Sequence, residues 1–382
     1  MIYLDNSATT FPKPASVYSA VNNAMQKFGA NPGRSGHKMS ITSAEQVYKC
    51  REAIAEIYNI KNVENIVFTQ NCTYALNTVI KGYLKTNDHV VVSELEHNSV
   101  LRPLQALSDI GVTYTPVKVI HGDFEATLDN FRNAINEKTR LFVITHASNV
   151  TGTILPIARI IALAHQYNIK VLIDTAQSSG VLPIDVENMN IDFLASAGHK
   201  GLFGPMGTGI LYIRNPEEIP PIVCGGTGSS SIEIMQPIVT PDKFESGTCN
   251  LPGICGLLNG VEFVKKTTTQ KIFNHEFALL AQLYEGLSKI NAVRLYTPKP
   301  EKEYQAPLLS FNIGDMHSET VAVLLSEKYN IAVRAGIHCA PLAHKKLGTE
   351  EQGTVRVSLS YFNKNSDINA VINAVRNISY KA

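Results

Sequence analysis

The hydrophobic residues between positions 64 and 213 alternate between short apolar runs and stripes with helical spacing. In the stripes, apolar side chains return every three or four positions, as on one face of an amphipathic helix. The runs lie at 66–68, 89–93, 140–145 and 169–173, the stripes at 73–84, 98–110, 127–136 and 155–167, and an alternating, strand-like segment at 112–119. Uninterrupted apolar strands are typical of a parallel sheet that helices cover on both faces. The pattern therefore predicts an α/β domain whose ligands gather at the carboxyl ends of the strands.

The alternation of strand and helix patterns ends after about residue 260, and this change predicts a second domain. Short strands at 192–195 and 208–213 complete the first pattern, and one long helical segment then runs from about 253 to 290. Behind it come separate strands at 308–313 and 354–359 and helices at 318–328 and 366–378. We predict a large domain over residues 15–260, with a mainly parallel sheet sandwiched by helices, and a smaller α+β domain formed by residues 1–14 and 261–382.

Composition narrows the class of protein. The 382 residues carry a net charge of +1, from 34 Lys and Arg against 33 Asp and Glu, so nothing electrostatic suggests a nucleic acid or a membrane surface as partner. No apolar stretch approaches the roughly 18 residues of a membrane span, and the start MIYLDNSATT lacks the basic and apolar parts of a signal peptide. The six cysteines are sparse and include no Cys-x-x-Cys pair, a pattern that favours free thiols in the cytoplasm.

Two residues supply the first candidate chemistry. Asp174 directly follows the apolar run 169–173, and Lys200 lies in a glycine-rich loop between two short strands. Each residue alone has an ordinary structural explanation: the aspartate could cap a helix, and the lysine could lie in a solvated loop. Taken together, they are what a pyridoxal-phosphate (PLP) enzyme needs, because a desolvated lysine forms a Schiff base with the cofactor aldehyde and a carboxylate keeps the ring nitrogen protonated. We therefore predict PLP as the cofactor.

The cofactor phosphate requires hydrogen-bond donors, and two segments offer them. Cys72 and Thr73 lie at a strand-to-helix turn, where backbone N–H groups point outward. An ordinary helix cap explains Thr73 equally well. Thr227 lies between two glycines, in a second turn suited to an anion. His97 follows the valine-rich strand. It is either an ordinary surface histidine or a residue at the ligand-binding edge of the sheet, where it could stack on the cofactor or move protons.

A candidate nucleophile lies near the C-terminus. Cys339 belongs to the loop 334–341, in which a neighbouring histidine and an arginine favour the thiolate, although free cysteines are more often buried and inert. The spacing of His338, Cys339 and His344 also allows a metal site, but no further ligand pair is evident and we predict no metal. Arg356 lies within a predicted strand. Its side chain either faces solvent or binds the carboxylate of a substrate.

These residues and four motifs together resemble the class V aminotransferase superfamily of fold-type I PLP enzymes, and within it the cysteine desulfurases. The motifs are Tyr3–Thr10 (YLDNSATT), Asn31–His37 (NPGRSGH), His146–Gly152 (HASNVTG) and Phe244–Thr248 (FESGT). They spread over nearly the whole chain, and their combination is specific although each alone is not. The sequence around Cys339 is similar to the short-loop group that the desulfurases share with the selenocysteine lyases. The resemblance implies the PLP-dependent transferase fold.

The resemblance also implies which residues hold the cofactor. Lys200 would bind PLP covalently, and Asp174 would pair with the ring nitrogen. The other residues expected around PLP are Gln177 at the ring hydroxyl, His97 on the ring face, and Cys72, Thr73, His199 and Thr227 at the phosphate. Thr227 would reach the phosphate of the neighbouring subunit, because members of this family are homodimers.

The implied reaction is the removal of sulfur from L-cysteine. The substrate would bind through Asn149, Arg356 and Arg334, its sulfur would pass to Cys339 as a persulfide, and L-alanine would leave. The sulfur would then go to an acceptor, such as a protein of iron–sulfur cluster assembly. Lys200, Cys339 and His97 are the expected catalytic residues.

Alternatives stay open at this point. The same cofactor chemistry suits a selenocysteine lyase, or an aminotransferase or epimerase of the same class, and the same fold suits a non-catalytic sulfur carrier. Three positions depart from the family pattern: Ala197 stands where Ser or Thr is common, Lys243 where Arg is often found, and Ile337 where a second histidine is found. Ala197 removes one expected phosphate hydroxyl unless Ser196 or the loop of the neighbouring subunit replaces it.

Overall fold

The computed structural model describes residues 1–33, 35–229 and 231–380. Arg34 of the motif at 31–37 lies outside the described residues, as does Ser230, three positions after Thr227.

The elements alternate between strand and helix as predicted from residue 66 to residue 174. The strands are β1 (Ile2–Tyr3), β2 (Ile66–Thr69), β3 (His89–Ser93), β4 (Thr113–Val117), β5 (Thr139–Thr145), β6 (Lys170–Asp174), β7 (Phe193–Ala197), β8 (Gly209–Ile213), β9 (Val293–Leu295), β10 (Leu308–Ile313), β11 (Ile331–Ala332) and β12 (Val355–Ser358). The α-helices are α1 (Ala15–Lys27), α2 (Lys38–Tyr58), α3 (Cys72–Tyr83), α4 (Asn98–Ala106), α5 (Phe124–Asn133), α6 (Ile157–Gln166), α7 (Leu251–Thr267), α8 (Thr269–Ser288), α9 (Ser318–Tyr329), α10 (Pro341–Leu347) and α11 (Asn365–Ser379).

A seven-stranded sheet forms the centre of the fold, in the order β2-β8-β7-β6-β5-β3-β4. Its strands run parallel except β8, which is antiparallel to both of its neighbours. In the register of β5, β6 and β7, Thr145 pairs with Asp174 and Asp174 pairs with Ala195. The mainly parallel sheet and the α/β class are confirmed, and the carboxyl ends of these three strands meet at one edge.

The central strands bury both faces, which explains why their sequences are apolar throughout. Successive residues of one strand enter different hydrophobic clusters: Val91 and Ile173 pack in one cluster, and Val92 and Leu172 in the other. A strand with one solvated face would alternate apolar and polar residues instead.

The C-terminal part has its own small sheets and its own core. β10 pairs with β12 and β9 in an antiparallel sheet of three strands, and β1 pairs with β11 in parallel. The two predicted strands at 308–313 and 354–359 are therefore partners and not separate. Leu4 joins the same cluster as Leu280, Phe311 and Val375, so the start of the chain packs against its end. The division into residues 15–260 and residues 1–14 with 261–382 stays a prediction.

The prediction of one helix over 253–290 is wrong, because two helices meet at Thr268. This residue has a φ of 73°, a value that a β-branched side chain rarely adopts, and it ends α7. Its hydroxyl then accepts a hydrogen bond from the backbone N–H of Lys271 and caps α8. The apolar stripe continues through the break, which is why the pattern alone concealed it.

Two long helices escaped the sequence reasoning. α1 and α2 both pack on α7, and α2 contributes Cys50, Ile54 and Tyr58 to the core. No helix in the described part of the chain combines the length and the apolar character that crossing a bilayer requires.

Candidate active site

A cavity of about 100 Å³ lies at the carboxyl edge of the central sheet. Asp174 ends β6, and Lys200 follows β7 in the loop that leads to β8. Eight of the predicted site residues line this cavity: Cys72, Thr73, His97, Asn149, Asp174, Gln177, His199 and Lys200. The topology thus brings together side chains that the sequence spreads over 129 positions, from 72 to 200 inclusive.

Asp174 is held in a fixed orientation beside the lysine. Its Oδ1 accepts a hydrogen bond from the backbone N–H of Ala176 at 2.8 Å and lies 3.5 Å from the Sγ of Cys72. Burial lowers the pKa of Lys200, and the nearby charge of Asp174 partly opposes this effect. A lysine whose pKa is lowered in this way supplies a neutral amine more readily than a solvated lysine does.

The N-terminal segment clamps the lysine loop from the other side. The backbone O of His199 accepts hydrogen bonds from Thr9 Oγ1 at 3.1 Å and from Lys13 Nζ at 2.7 Å. Thr10 Oγ1 donates to the backbone O of Lys200 at 3.0 Å. The conformation of the loop therefore depends on residues almost 190 positions earlier in the chain.

Two helix N-termini meet at the cavity and give it a positive electrostatic character. Asn71 caps α3, because its Oδ1 accepts from the backbone N–H of Tyr74 at 2.9 Å, so the interpretation of Thr73 as the cap is wrong. His97 caps α4 through a 3.0 Å hydrogen bond from the backbone N–H of Ser99 to its Nδ1. The orphan N–H groups and dipoles of such helix starts favour an anion.

Ser99 is a hydroxyl that the sequence reasoning missed. Its Oγ lies 2.7 Å from Thr73 Oγ1 and 2.9 Å from His97 Nδ1, and it lines the cavity. A signal was present, because Ser99 follows His97 by two positions at the start of a helix. Ser196 does not supply the hydroxyl that Ala197 lacks, since its Oγ is buried and donates to Ser179 at 2.7 Å.

The two histidines of the cavity are neutral. Burial is the main cause that lowers the pKa of His97 to about 4, and Asp174 opposes it. Burial, with Lys200 and Lys13 nearby, also lowers the pKa of His199 to about 4. Among the described residues, the buried Nδ1 of His199 has no hydrogen-bond partner. An unpartnered nitrogen beside two helix N-termini fits a polar ligand group.

Three of the residues predicted to bind the substrate carboxylate or the cofactor ring differ in their surroundings. Asn149 Nδ2 donates to the backbone O of His338 at 2.7 Å, and Gln177 Nε2 donates to the backbone O of Ser7 at 3.2 Å. Arg356 is completely buried, so the interpretation as a solvent-facing residue is wrong. Burial lowers the pKa of Arg356 to about 10, which leaves it charged at neutral pH.

Cys339 lies on a strained loop outside the wall of the cavity. Its φ is 58° and that of His338 is 51°, both in the left-handed region that non-glycine residues rarely adopt. Arg334 Nη2 lies 3.8 Å from the Sγ of Cys339. The backbone O of Cys339 accepts a hydrogen bond from the N–H of Asn98, which ties the loop to the start of α4.

The histidine beside the cysteine does not assist it electrostatically, contrary to the prediction. Burial is the main cause that lowers the pKa of His338 to about 2, and the nearby Arg356 adds to it. The His338 Nε2 lies 3.0 Å from the backbone O of Thr354, so this nitrogen contacts Thr354 and not the thiol. Arg334 is therefore the cation next to the thiol. Within residues 1–33, 35–229 and 231–380, no group of three or more His, Cys, Asp or Glu side chains could hold a metal ion.

Thr227 is not part of the cavity. A separate open cleft is lined by residues within 224–229 and 231–237, and Thr227 Oγ1 lies 3.2 Å from Ser229 Oγ. The role predicted for Thr227, at the phosphate of a neighbouring subunit, stays a prediction.

Comparison with known proteins places these features in context. The family model for aminotransferase class-V matches residues 2–371. A protein of Methanothermobacter thermautotrophicus named probable cysteine desulfurase is 35% identical over 96% of this chain and 92% of its own length. A protein of Salmonella dublin named cysteine desulfurase is 31% identical over 97% of this chain and 92% of its own length.

Solved structures show the same likeness. The apo structure of a cysteine desulfurase from Thermococcus onnurineus matches with a TM-score of 0.92 and 30% identity, over 100% of this chain and 95% of that chain. A cysteine desulfurase from Escherichia coli, in an S-sulfonic acid form, matches with a TM-score of 0.87 and 29% identity, over 99% of this chain and 94% of that chain.

Proposed function

The chain belongs to the aminotransferase class-V family, and from this premise we propose that it is a PLP-dependent cysteine desulfurase. It would take sulfur from L-cysteine, release L-alanine and carry the sulfur as a persulfide on Cys339. The observation that carries this proposal is the pairing of Lys200 and Asp174 in one cavity at the carboxyl edge of the sheet. Relatives of near-equal length that are named cysteine desulfurase support the choice of reaction.

The chemistry of the cavity fits PLP. Lys200 would supply the amine that binds the aldehyde, and Asp174 would supply the carboxylate that pairs with the ring nitrogen. The starts of α3 and α4, Thr73, Ser99 and the unpartnered Nδ1 of His199 suit the phosphate. The neutral ring of His97 is available to stack on the cofactor. When bound, PLP would supply an electron sink that stabilises negative charge at the α-carbon of an amino acid.

Lys200 would also move the proton. Its Nζ, with a pKa lowered by burial, would take the proton from the substrate α-carbon and later return one. Arg356 and Asn149 would bind the substrate carboxylate, with Arg334 nearby. For this binding, the amide of Asn149 would exchange its hydrogen bond to His338 for one to the substrate.

Cys339 would accept the sulfur. Arg334, 3.8 Å from the Sγ, would stabilise the thiolate as it approaches the substrate. The thiolate would form an S–S bond to the substrate sulfur while the substrate C–S bond breaks. The electron pair of that bond would remain with the carbon fragment, which takes up protons and leaves as alanine.

We further propose that the enzyme is a cytoplasmic homodimer that delivers sulfur to an acceptor protein, such as one of iron–sulfur cluster assembly. Exposed apolar side chains close to Thr227 support a second copy as the cover of this segment; they are Ile232, Ile234, Met235 and Ile238. No disulfide joins the cysteines in the described part of the chain, which suits a reducing compartment.

The central experiment measures visible absorption of the purified protein before and after L-cysteine, followed by assays for alanine and sulfide with a thiol present. Borohydride reduction and peptide mapping should find the cofactor on Lys200, and Lys200→Ala should abolish both the colour and the adduct. Parallel assays with L-selenocysteine, and with an amino acceptor, separate desulfuration from the lyase and aminotransferase reactions. A colourless protein without an adduct at position 200 would contradict the proposal.

A further inference from the structure

Asp5 is fixed next to the strand that carries Arg356. It forms a bridge with Ser358 of β12, and the residues on both sides of it bind the same serine. The N–H of Ser358 donates to the backbone O of Leu4 at 2.8 Å, and Asn6 Nδ2 donates to the backbone O of Ser358 at 2.9 Å. Because both neighbours are anchored, the position of the Asp5 backbone is set by the fold.

The carboxylate of Asp5 is the ion-pair partner of a buried guanidinium. Arg356 Nη2 donates to Asp5 Oδ1 at 2.9 Å, and Arg356 Nη1 donates to the backbone O of Asn149 at 3.0 Å. The Arg356 side chain is 1% exposed and that of Asp5 is 22% exposed, so this pair differs from an ordinary surface salt bridge. It lies directly behind the cavity, because Asn149 lines the cavity wall.

One nitrogen of the guanidinium has no hydrogen-bond partner in the described structure. This nitrogen is the buried Nε of Arg356. A buried N–H without a partner is costly and calls for a reason, and a ligand that completes the bonding is one such reason. Two of the three guanidinium nitrogens of Arg356 thus donate to protein atoms, and the third, Nε, is available for another acceptor.

Resting on the proposed function, we propose that Asp5 is a positioning residue for substrate recognition. By holding Nη2, its carboxylate orients the guanidinium of Arg356 and leaves Nε for the carboxylate of the substrate amino acid. A planar guanidinium has five N–H donors and can serve both carboxylates at once. Asp5 therefore acts on the recognition of the substrate carboxylate and not on the thiol or the cofactor.

The test compares ligands that have the carboxylate with a ligand that lacks it. L-Cysteine has a carboxylate and cysteamine lacks it, and L-alanine is the carboxylate-bearing product. Binding of L-alanine and of cysteamine is measured for the PLP-loaded enzyme by the change in visible absorption, with KM and kcat for L-cysteine beside it. The variants are Asp5→Ala and Asp5→Asn, and the exposed Asp315→Ala is the matched control in the same part of the fold.

In Asp5→Ala, we expect the affinity for L-alanine to fall by about tenfold or more and KM for L-cysteine to rise by a similar factor, because a charge-assisted contact to the binding group is lost. Binding of cysteamine, kcat and PLP content should stay within about twofold of the values for the unaltered chain. Asp5→Asn, which keeps an oxygen acceptor, should lie between, and Asp315→Ala should match the unaltered chain.

Thermal unfolding of the cofactor-free chain shows whether each variant folds. If Asp5→Ala does not fold, the comparison is made with Asp5→Asn. Equal losses for L-alanine and cysteamine would overturn the inference, since they indicate a general disturbance of the pocket. Tighter binding of L-alanine in Asp5→Ala would also overturn it, because Asp5 would then compete with the substrate. An unaltered chain that retains PLP but binds neither L-alanine nor L-cysteine would refute the proposed function and the inference with it.

Discussion

The Sγ of Cys72 lies 3.5 Å from Oδ1 of Asp174, and both side chains are buried in the cavity wall. Burial raises the pKa of Cys72 well above its ordinary value, and the neighbouring carboxylate adds to the effect. The sulfur is therefore a neutral thiol that donates a hydrogen bond to Asp174. Together with the N–H of Ala176, it fixes Oδ1 and thereby the orientation of the whole carboxyl group.

This arrangement predicts an order of reactivity among the cysteines. Cys224 is exposed, whereas Cys50 and Cys72 are buried and have raised pKa values. Since the thiolate is the reactive form, iodoacetamide should modify Cys224 before Cys50 and Cys72 at about pH 8, and it should leave these two unmodified in the folded chain. Mass mapping of timed samples measures the order, and unfolding in urea should make all sites reactive. Early modification of Cys72 would show that its thiol is not held as described.

Cys339 gives a prediction that separates the sulfur step from cofactor binding. Cys339→Ser should lower the rate of alanine formation from L-cysteine by more than about a thousandfold, because a hydroxyl cannot accept the sulfur. The visible absorption and its change on adding L-cysteine should remain, since Cys339 lies outside the cavity that holds Lys200. Cys224→Ser is the matched control and should keep full activity. Unchanged turnover in Cys339→Ser would rule out Cys339 as the acceptor.

Much of the sheet and of the cofactor cavity was predictable from the sequence. The apolar strands could be recognised because burial on both faces favours apolar residues at successive positions. Asp174 is the last residue of one such strand, and Lys200 follows the end of the next strand by three residues. Parallel strands bring their carboxyl ends to one edge, so residues at such ends become neighbours without any further information.

The remaining features depend on contacts between distant parts of the chain. Asp5 and Arg356 are 351 positions apart, and no local pattern shows that β1 and the segment after it pack against β12. The side chain of His338 was misjudged for the same reason, because its partner Thr354 comes from a neighbouring segment and not from the cysteine loop. The break at Thr268 escaped because hydrophobic periodicity does not report on φ.

Glu96 predicts how stability depends on pH. It is fully buried, its Oε1 accepts hydrogen bonds from Ser93 Oγ and the N–H of Thr145, and in the described structure its Oε2 has no partner. Burial is the main cause that raises the pKa of Glu96 from 4.5 to about 8. Between these two pH values the native state holds a proton that the unfolded state has lost, so Glu96 lowers the stability progressively as the pH rises.

Glu96→Gln removes this titration. The variant should gain stability relative to the unaltered chain as the pH rises from 4.5 to about 8, and the gain should level off above that range. Its size should be several kcal/mol at most, on the order of 1.4 kcal/mol for each pH unit. Urea unfolding of both proteins at a series of pH values measures the difference. A difference that does not change with pH would mean that Glu96 is ionised in the native state.

Thr268 predicts a stabilising substitution at the junction of α7 and α8. The residue is exposed and has a φ of 73° with a ψ of 139°, a region in which glycine is far less strained. Thr268→Gly should raise the free energy of unfolding by about 1 kcal/mol, because the relief of strain exceeds the small loss from replacing a cap by glycine. Thr268→Ala keeps the strain and loses the cap, so it should lower stability. Denaturant unfolding measures both, and equal effects of Gly and Ala would contradict the strained geometry.

Gly180 predicts that the lysine loop is positioned by a close backbone contact. Gly180 has a φ of 78°, and a Cβ at this position would meet the backbone O of Gly201 at 2.1 Å. Gly122 has a similar φ of 79° but nothing within 4 Å of such a Cβ, so it is a matched control for the backbone effect alone. Gly122→Ala should cost about 1 kcal/mol of stability, and Gly180→Ala about 3 kcal/mol or more, because the loop must also move.

The two glycine variants should differ in function as well as in stability. Since Gly201 follows Lys200 directly, Gly180→Ala should displace the amine and reduce the PLP content and the alanine-forming rate, whereas Gly122→Ala should retain both. PLP content is read from visible absorption per chain, after unfolding curves have shown that both variants are folded at the temperature of the assay. Equal PLP content and equal rates in the two variants would mean that the loop around Lys200 tolerates the added methyl group, and that Gly180 does not position it.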